Sequence, residues 1–361
     1  MEEKENGQFT AREIFTQADS LREILRRAES RQRDLASVLP LSRYAEIVFT
    51  GCGSSYHISL CAARAWQQLT GRRTLALPSS ELLHFPESYL GRESAPLVFA
   101  ISRSGGTDET LLVVERLRSY CRTTVIAVVA QEGTPLGRSA DAELAFVECH
   151  ERSIVTTQAF TGMLYGLLLL GDSLGGLYHA SELRRIPDLV KSSLTAHESL
   201  VRPMGEANRF RRFVFLGSGP LYGLAAEAAL KMTEMALTPA HFYHTLEFRH
   251  GPKLIVSPET LAVILVSRPE RAYLPLLMEE IADLGGEVLL IADGEVESSG
   301  SRISFAAEMM DDIFLPVLFA PVVQQLAFWR AMARGHDPDR PPTLVRTVKL
   351  SRQTAPERSA D

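Results

Sequence analysis

The distribution of apolar residues repeats along the chain. In two segments an apolar run leads into a glycine-rich turn and then into a helical pattern. These segments are residues 46–55 and 212–220. Their first turn glycines, Gly51 and Gly217, lie 166 positions apart, and about 50 residues later a second apolar run ends in a loop with a serine, at Ser102 and at Ser267. Third apolar runs follow at residues 124–130 and 287–292. The pattern predicts two copies of one structural unit.

Helical periodicity separates the apolar runs. It is clearest at residues 60–69, 110–117 and 274–284. Strands that alternate with helices form a parallel sheet with helices on both faces, and ligands then bind at the carboxyl ends of the strands. We therefore predict an α/β fold of two tandem doubly wound domains, each a parallel sheet flanked by helices.

The same pattern gives an expected domain organisation. The parts are an N-terminal helical segment (1–40), a first domain (41–195), a second domain (205–335) and a C-terminal tail (336–361). The boundary falls in a polar, weakly periodic stretch at residues 195–208. One helix is predicted over residues 10–39, and the last helix is predicted to begin at Pro321 and to stop at Gly335.

Composition excludes several classes of function. The 361 residues carry a net charge of −6, and lysine and arginine are not bunched, which disfavours nucleic-acid binding. The four cysteines form no CxxC pair, as is typical of thiols in a reducing compartment. The longest apolar run, residues 162–171, is too short for a membrane helix and predicts a buried helix. The first eight residues lack the apolar core of a signal peptide. We expect a cytoplasmic protein.

Hydroxyl side chains follow two neighbouring strands of the first unit. The loop from Ser102 to Thr107 contains Arg103, Ser104 and two glycines, and it enters a helix. A phosphate could bind there to hydroxyls and to free backbone N–H groups of the helix N-terminus. A simple helix cap by Thr107 explains the loop equally well. A hydroxyl-rich stretch at residues 151–161 is a third candidate ligand segment.

The first turn supports a phosphate ligand but not a dinucleotide. Cys52, Gly53, Ser54 and Ser55 end the first strand at the same edge of the sheet. A dinucleotide site requires a third glycine where this chain has Tyr56, so nicotinamide and flavin cofactors are disfavoured.

The second unit has different candidates. Its loop at residues 265–269 lacks the serine pattern, which predicts that it has lost a phosphate site. Glu227, Lys231 and Glu234 share one helix face, either as a surface ion pair or as a polar seam that faces a cleft. His250 follows 16 residues after Glu234. Histidine side chains in general titrate near neutral pH and suit proton transfer during ring opening, although a lone histidine often has a structural role. No spacing indicates a metal site.

Taken together, the motifs identify a family resemblance. They are residues 51–56, 102–107, 153–161, 227–234 and 247–252. In this order they resemble the isomerase half of glucosamine-6-phosphate synthase, which consists of two sugar-isomerase (SIS) domains, over about residues 10–350.

The resemblance implies roles for individual residues. Glu234 would move a proton between C1 and C2 of the sugar, Lys231 would assist it, and His250 would open the ring from a second subunit. A homodimer with a shared site is therefore implied, without a metal or cofactor. Ligand contacts are implied for Cys52, Gly53, Ser54, Ser55, Ser102, Arg103, Ser104, Thr107 and Ile154.

Two departures refine the resemblance. Residue 2 is Glu2, not the glutaminase cysteine of the synthase, so we do not expect ammonia to be taken from glutamine. Arg346 stands where the synthase has a Schiff-base lysine; a guanidinium cannot form an imine, so Arg346 is expected to orient the ligand. Both departures resemble the stand-alone tagatose-6-phosphate ketose/aldose isomerases, also described as galactosamine-6-phosphate deaminases.

That resemblance implies conversion of an aminosugar 6-phosphate to a ketose 6-phosphate. Three alternatives stay open at this stage. They are a fructosamine-6-phosphate deglycase, an aminotransferase-like isomerase without a glutaminase, and a phosphosugar-binding regulator without catalysis.

Overall fold

The computed structural model describes residues 6–176, 179–297, 300–307 and 310–350, without the side chains of 30–38. Two parallel five-stranded sheets form its centre. The first contains β1 (Ile47–Gly51), β2 (Thr74–Pro78), β3 (Leu97–Ile101), β4 (Thr124–Val129) and β5 (Ala142–Ala145). The second contains β6 (Arg212–Leu216), β7 (Ala240–Tyr243), β8 (Thr260–Leu265), β9 (Glu287–Asp293) and β10 (Ser301–Phe305).

Eleven α-helices accompany the sheets in the described part of the chain. They are α1 (Gln8–Val38), α2 (Ser54–Thr70), α3 (Ser79–His84), α4 (Asp108–Tyr120), α5 (Pro135–Ser139), α6 (Gln158–Gly175), α7 (Ala180–Ala196), α8 (Glu198–Glu206), α9 (Leu221–Ala236), α10 (Leu274–Asp283) and α11 (Leu315–Ala333). In these residues no helix is long and apolar enough to cross a membrane.

The two sheets have the same topology. The first has the order β2-β1-β3-β4-β5, and the second, read from its β7 edge, has the order β7-β6-β8-β9-β10. All of the strand pairs are parallel. This arrangement confirms the predicted pair of α/β units. In such a sheet the chain reverses its winding direction between the first and third strands, and this switch point is where ligands bind.

One hydrophobic core joins the two units. Buried side chains of α2, α6, α9 and α11 form a single cluster between the sheets, and smaller clusters cover the two outer faces. Helices therefore lie on both faces of each sheet, as doubly wound units require. Helix α2 of the first unit packs directly against α9 of the second unit.

The structure corrects the predicted start of the last helix. Helix α11 begins at Leu315, and Pro321 lies inside it instead of opening it. Pro316 occupies the first turn, where a missing N–H costs nothing, while Pro321 removes one interior hydrogen bond. The helix continues because nearly all of its side chains are buried in the shared core. The predicted boundary stretch, 195–208, is itself largely helical, as α8; the domain bounds stay a prediction.

Candidate functional site

The first switch point is built around the turn between β1 and α2. A side chain on Gly51 would place its Cβ 2.7 Å from the backbone of Ser55, so only glycine fits there. Gly53, with a φ of 54°, is the residue that precedes α2. Gly217 is restricted in the same way by Leu221 in the second unit. The repeated glycines are therefore required by the strand-to-helix turn itself, and the hydroxyl side chains around them differ between the units.

The hydroxyl loop after β3 is not a simple helix cap. Thr107 precedes the first residue of α4, but its side chain makes no capping hydrogen bond to that helix. Its hydroxyl lies 3.1 Å from that of Ser102 instead. Gly105 has a φ of 60°, and a Cβ there would overlap Thr134. Thr107 is therefore not a simple helix cap, and a ligand at this loop stays a prediction.

The C-terminal tail lies across this loop. The Thr347 hydroxyl donates to Ser104 Oγ at 3.1 Å. Lys349 donates to the carbonyl oxygen of Gly106 at 2.6 Å and to Asp108 at 2.8 Å. The hydrogen bond from Lys349 lowers the pKa of Asp108 below its usual value. These contacts were not predictable from sequence motifs, because they join residues more than 240 positions apart.

Arg103 and Arg346 both hold the segment of residues 151–155, which contains Ile154. The Arg103 guanidinium donates to Glu151 at 3.0 Å and to the carbonyl oxygens of Ile154 and Val155 at 2.7 and 3.1 Å. Arg346 donates to the carbonyl oxygens of residues 151, 152 and 153 at 2.6–3.1 Å. Burial, followed by the nearby Arg103, lowers the pKa of Arg346. Ligand contacts by the two arginines stay a prediction.

Two buried carboxylates explain the hydroxyls of this segment. Glu151 accepts hydrogen bonds from the backbone and hydroxyl of Thr157 at 2.6 and 2.9 Å, at the start of α6. Glu13 of α1 accepts from the Ser153 hydroxyl and from the backbone N–H of Arg152. Burial, and then the charge of Glu151, raises the pKa of Glu13. The interpretation of residues 151–161 as a ligand segment is therefore wrong for Ser153 and Thr157, whose hydroxyls bind these acids.

Cys52 lies in the turn between β1 and α2. Its sulfur is 3.8 Å from the Thr110 hydroxyl. Burial raises the pKa of the thiol, against a smaller opposite effect of hydrogen bonds to Ser79 and Thr110. Ser54 is buried and Ser55 is half-buried at the first residues of α2.

Glu227, Lys231 and Glu234 form a buried polar seam on α9. Lys231 and Glu227 are fully buried and their charged atoms are 3.3 Å apart. Lys231 also donates a hydrogen bond to Glu234, which is 18% exposed. Burial alone would lower the pKa of Lys231, but the two carboxylates outweigh it and raise the pKa above its usual value. The surface-pair alternative is wrong, and Lys231 stays an ammonium at neutral pH.

The seam lies toward the end of α9 that packs near the turn between β1 and α2, because α2 and α9 run antiparallel. This turn, residues 51–55, is the predicted ligand turn. Gly223 of α9 packs on the backbone of His57 and Cys61, whereas Leu230, two turns later, reaches within 4.0 Å of the Cβ position of Gly53. A helix rises about 1.5 Å per residue, so Glu234 lies roughly one further turn along, at the N-terminal end of α2. The C-terminal half of α9, which carries Lys231 and Glu234, therefore packs beside the N-terminal end of α2, and a shared site of these residues with Gly53 and Ser54 stays a prediction.

His250 is placed differently. It follows a short 3-10 helix (Glu247–Arg249) and is exposed. Within the described residues its side chain has no hydrogen bond or ion pair, and none joins it to Glu234. Arg249 beside it makes two hydrogen bonds to Glu280, which lower the pKa of Glu280 to about 2. Participation of His250 in the site of a second subunit stays a prediction.

At the second switch point the serine of the loop is bonded to an acid. The Ser267 hydroxyl donates to Glu270 at 2.8 Å. A carboxylate at this position would repel a phosphate.

In the described parts of the chain, no group of three or more His, Cys, Asp or Glu side chains is arranged to hold a metal ion. A cavity of 510 Å³ between α1, α6, α7 and β5 shares no residue with either loop.

Comparison with known proteins identifies the family. The SIS domain model matches residues 41–170 and 208–321, which include both sheets. The chain belongs to the SIS domain family. This result confirms the resemblance inferred from the five motifs.

Two solved structures of SIS proteins are similar over nearly the whole chain. Tagatose-6-phosphate ketose/aldose isomerase from Escherichia coli is 26% identical with a TM-score of 0.86, and the match covers 97% of this chain and 98% of that one. Glucosamine-6-phosphate deaminase from Thermotoga maritima is 29% identical with a TM-score of 0.78, covering 95% and 100%.

Curated relatives of this SIS protein include longer chains. Glutamine–fructose-6-phosphate aminotransferase (isomerizing) from Pyrococcus horikoshii is 28% identical over 350 residues, which are 95% of this chain and 58% of the relative. The Thermococcus kodakarensis protein of the same name is 26% identical, again with 58% of its length covered. The chain thus spans a little over half the length of these relatives.

Proposed function

We propose that this chain converts an aminosugar 6-phosphate to a ketose 6-phosphate and ammonia, by moving a proton from C2 to C1. The observation that carries the proposal is the position of Glu234. Its carboxylate is hydrogen-bonded to a buried ammonium and lies at the end of α9 that meets the ligand turn of α2. A partly exposed base near the turn that is proposed to line the sugar has the placement that proton abstraction from a bound sugar requires.

In this proposal the phosphate binds to the loop after β3. The hydroxyls of Ser102, Ser104 and Thr107 surround it, and the start of α4 adds backbone N–H groups and a favourable dipole. The turn residues Cys52, Gly53, Ser54 and Ser55 line the sugar. Arg103 and Arg346 fix the backbone of residues 151–155, so Ile154 forms one wall of the pocket.

In this proposal the residues of the seam carry out the reaction. Glu234 removes the proton at C2 of the open-chain aldose and returns it at C1, which gives an imine at C2. Water adds to this imine, ammonia leaves, and the ketose phosphate remains. Lys231 stays protonated and orients Glu234. His250 of a second subunit assists ring opening, so the proposed active form is a homodimer; no cofactor is needed for this chemistry.

The solved structures support this reaction class. One is named a glucosamine-6-phosphate deaminase and another a tagatose-6-phosphate ketose/aldose isomerase, and each matches at least 95% of the present chain. Both names describe reactions on sugar 6-phosphates, and the loop and the seam lie inside the residues that the SIS domain model matches.

A substrate panel tests the proposal. Glucosamine 6-phosphate, galactosamine 6-phosphate, tagatose 6-phosphate and a fructosamine 6-phosphate are incubated with the wild type and with Glu234→Gln, and ammonia, ketose, aldose and free amine are measured. We expect ammonia and ketose in equal amounts from an aminosugar phosphate, with Glu234→Gln slower by at least about 100-fold because general-base catalysis has that magnitude. In D₂O the product should carry deuterium at C1.

The other outcomes each decide against the proposal. Release of an amine from the fructosamine phosphate alone would indicate a deglycase, and interconversion of tagatose 6-phosphate without ammonia would indicate a plain isomerase. Binding of panel members without turnover would indicate a phosphosugar-binding regulator.

A further inference from the structure

A histidine outside the predicted site connects the two units. His57 lies two residues after Ser55 in the first turn of α2, and its Nδ1 is 2.9 Å from Oε2 of Glu227 on α9. The His57 side chain is 12% exposed, and Glu227 is fully buried. With the Glu227 carboxylate ionised, this bond requires the tautomer that carries its proton on Nδ1, because an ionised carboxylate only accepts hydrogen bonds. The ligand turn of the first unit is thus linked to the seam of the second unit.

Glu227 is shared between His57 and Lys231. One of its oxygens faces Nδ1 of His57, and the other is 3.3 Å from the Lys231 ammonium. The same ammonium donates to Glu234. The buried Lys231 ammonium therefore interacts with two carboxylates. How strongly it interacts with each of them depends on the orientation of Glu227.

The orientation of Glu227 is weakly fixed by its own geometry. The last torsion of a glutamate side chain is broad, so a carboxylate without a directional partner rotates. The distance from Lys231 to Glu227 is also the longer of the two ion pairs in the seam. The hydrogen bond from His57 is the contact that fixes the plane of the Glu227 carboxylate.

We propose that His57 is a positioning residue that holds Glu227 against Lys231 and thereby keeps Lys231 and Glu234 in place for the C2 proton transfer. Glu227 and Glu234 share the Lys231 ammonium, so a displacement of the Glu227 carboxylate would move this ammonium and with it the hydrogen bond that orients Glu234. This inference rests on the proposed function, because it concerns the same proton transfer.

Asparagine and glutamine distinguish this role from simple packing. The Asn amide nitrogen stands the same number of bonds from Cα as Nδ1 of histidine, whereas the Gln amide nitrogen corresponds to Nε2. We expect His57→Leu and His57→Gln to lower kcat about 10-fold to 100-fold, since misplacement of a catalytic group has costs of that order. KM should stay within about twofold, because no phosphate contact changes. His57→Asn should restore kcat toward the wild-type value.

His179 provides a matched control. Its Nδ1 is 3.0 Å from Asp172, so it makes the same kind of hydrogen bond to a buried carboxylate, on α6 and far in sequence from the seam. His179→Leu should reduce the thermal midpoint as His57→Leu does, but it should leave kcat unchanged. If His57→Leu keeps the wild-type kcat, or if His57→Asn is as slow as His57→Leu, His57 is only a packing residue and the proposal is wrong.

A spectroscopic measurement separates this inference from the proposed function. If the wild type turns over no substrate in the panel, the proposed function fails, and the imidazole ¹⁵N shifts of His57, assigned by comparison with His57→Asn, still test the contact. A protonated Nδ1 is expected. A neutral ring protonated only at Nε2 would overturn the inference whether or not the protein is active.

Discussion

The switch points of the two sheets differ in the groups that surround the same backbone. In both units a strand ends in a Gly-x-Gly turn, and a side chain on the first glycine would collide with the helix that follows. The loop after the third strand then differs. In the first unit Ser102 and Thr107 face each other with no acid on them, while in the second unit Ser267 is bonded to Glu270.

Under the proposed function, the repeat preserves the scaffold and divides the chemistry between the units. The second unit contributes Glu227, Lys231 and Glu234 from α9, the helix that packs on α2 of the first unit. Its own loop is blocked by an acid. We infer that binding and proton transfer come from different halves and meet where α2 and α9 touch.

The largest expected effect concerns the third contributor, His250. If it acts in the site of a second subunit, Glu234→Gln and His250→Ala homodimers should each be nearly inactive. Mixing the two proteins under exchange conditions should recover up to about a quarter of the wild-type activity, since half of the dimers are mixed and each has one intact site. Turnover of the proposed substrate is the measurement.

A second mixture is the control for activity that rises only because subunit exchange stabilises the variant proteins. Glu234→Gln combined with Lys231→Met should recover nothing, because both changes affect the same seam. If the Glu234→Gln and His250→Ala mixture stays inactive while mixed dimers are detected by mass spectrometry, the site lies within one subunit.

How far the sequence predicts this arrangement differs between central and edge elements. The central strands β1, β3, β4, β6, β8 and β9 were predictable because they are almost entirely buried and apolar. The edge strands β2, β5, β7 and β10 were missed, since they are short and partly exposed and lack a continuous apolar run. Pro321 was misleading because a proline is tolerated within a helix that the surrounding core holds in place.

The residues of the candidate site also differ in how far the sequence predicts them. Residues that lie near one another in a motif, such as Lys231 and Glu234, were found from helical spacing. The partners of Arg103 and Arg346 were not, because their hydrogen bonds reach residues 48 to 195 positions away. His57 was missed although it adjoins the turn motif, since only the packing of α2 on α9 brings it to Glu227.

The second prediction compares the two loops directly. Ser104→Ala with Thr107→Ala should raise KM at least about 100-fold with a smaller change in kcat, because each of the two lost hydrogen bonds to a charged group costs roughly 1.5–3 kcal/mol and about 1.4 kcal/mol corresponds to a tenfold change. Ser267→Ala in the second loop should leave both constants unchanged. Steady-state kinetics of the two variants is the measurement.

An equal rise of KM in both variants would contradict the assignment of the phosphate to the first unit. An unchanged KM in the double variant would restrict Ser104 and Thr107 to shaping the loop.

The smallest expected effect concerns the tail that covers only the first loop. Ser104 Oγ accepts hydrogen bonds from the Gly106 N–H at 3.3 Å and from Thr347 at 3.1 Å. A hydroxyl has two acceptor sites and one proton, so both acceptor sites are occupied and the proton is directed outward. Under the proposed function, Thr347 therefore orients Ser104 as a donor to the phosphate.

Thr347→Val keeps the shape of the side chain and removes this one bond. Lys349 on Asp108 and Arg346 on the 151–153 carbonyls still hold the tail in place. We expect KM to rise about threefold to tenfold, in line with roughly 1 kcal/mol for one neutral hydrogen bond, and Thr347→Ser to behave as the wild type. If Thr347→Val instead lowers KM, the tail competes with the phosphate for Ser104, and its position over the first loop would be inhibitory.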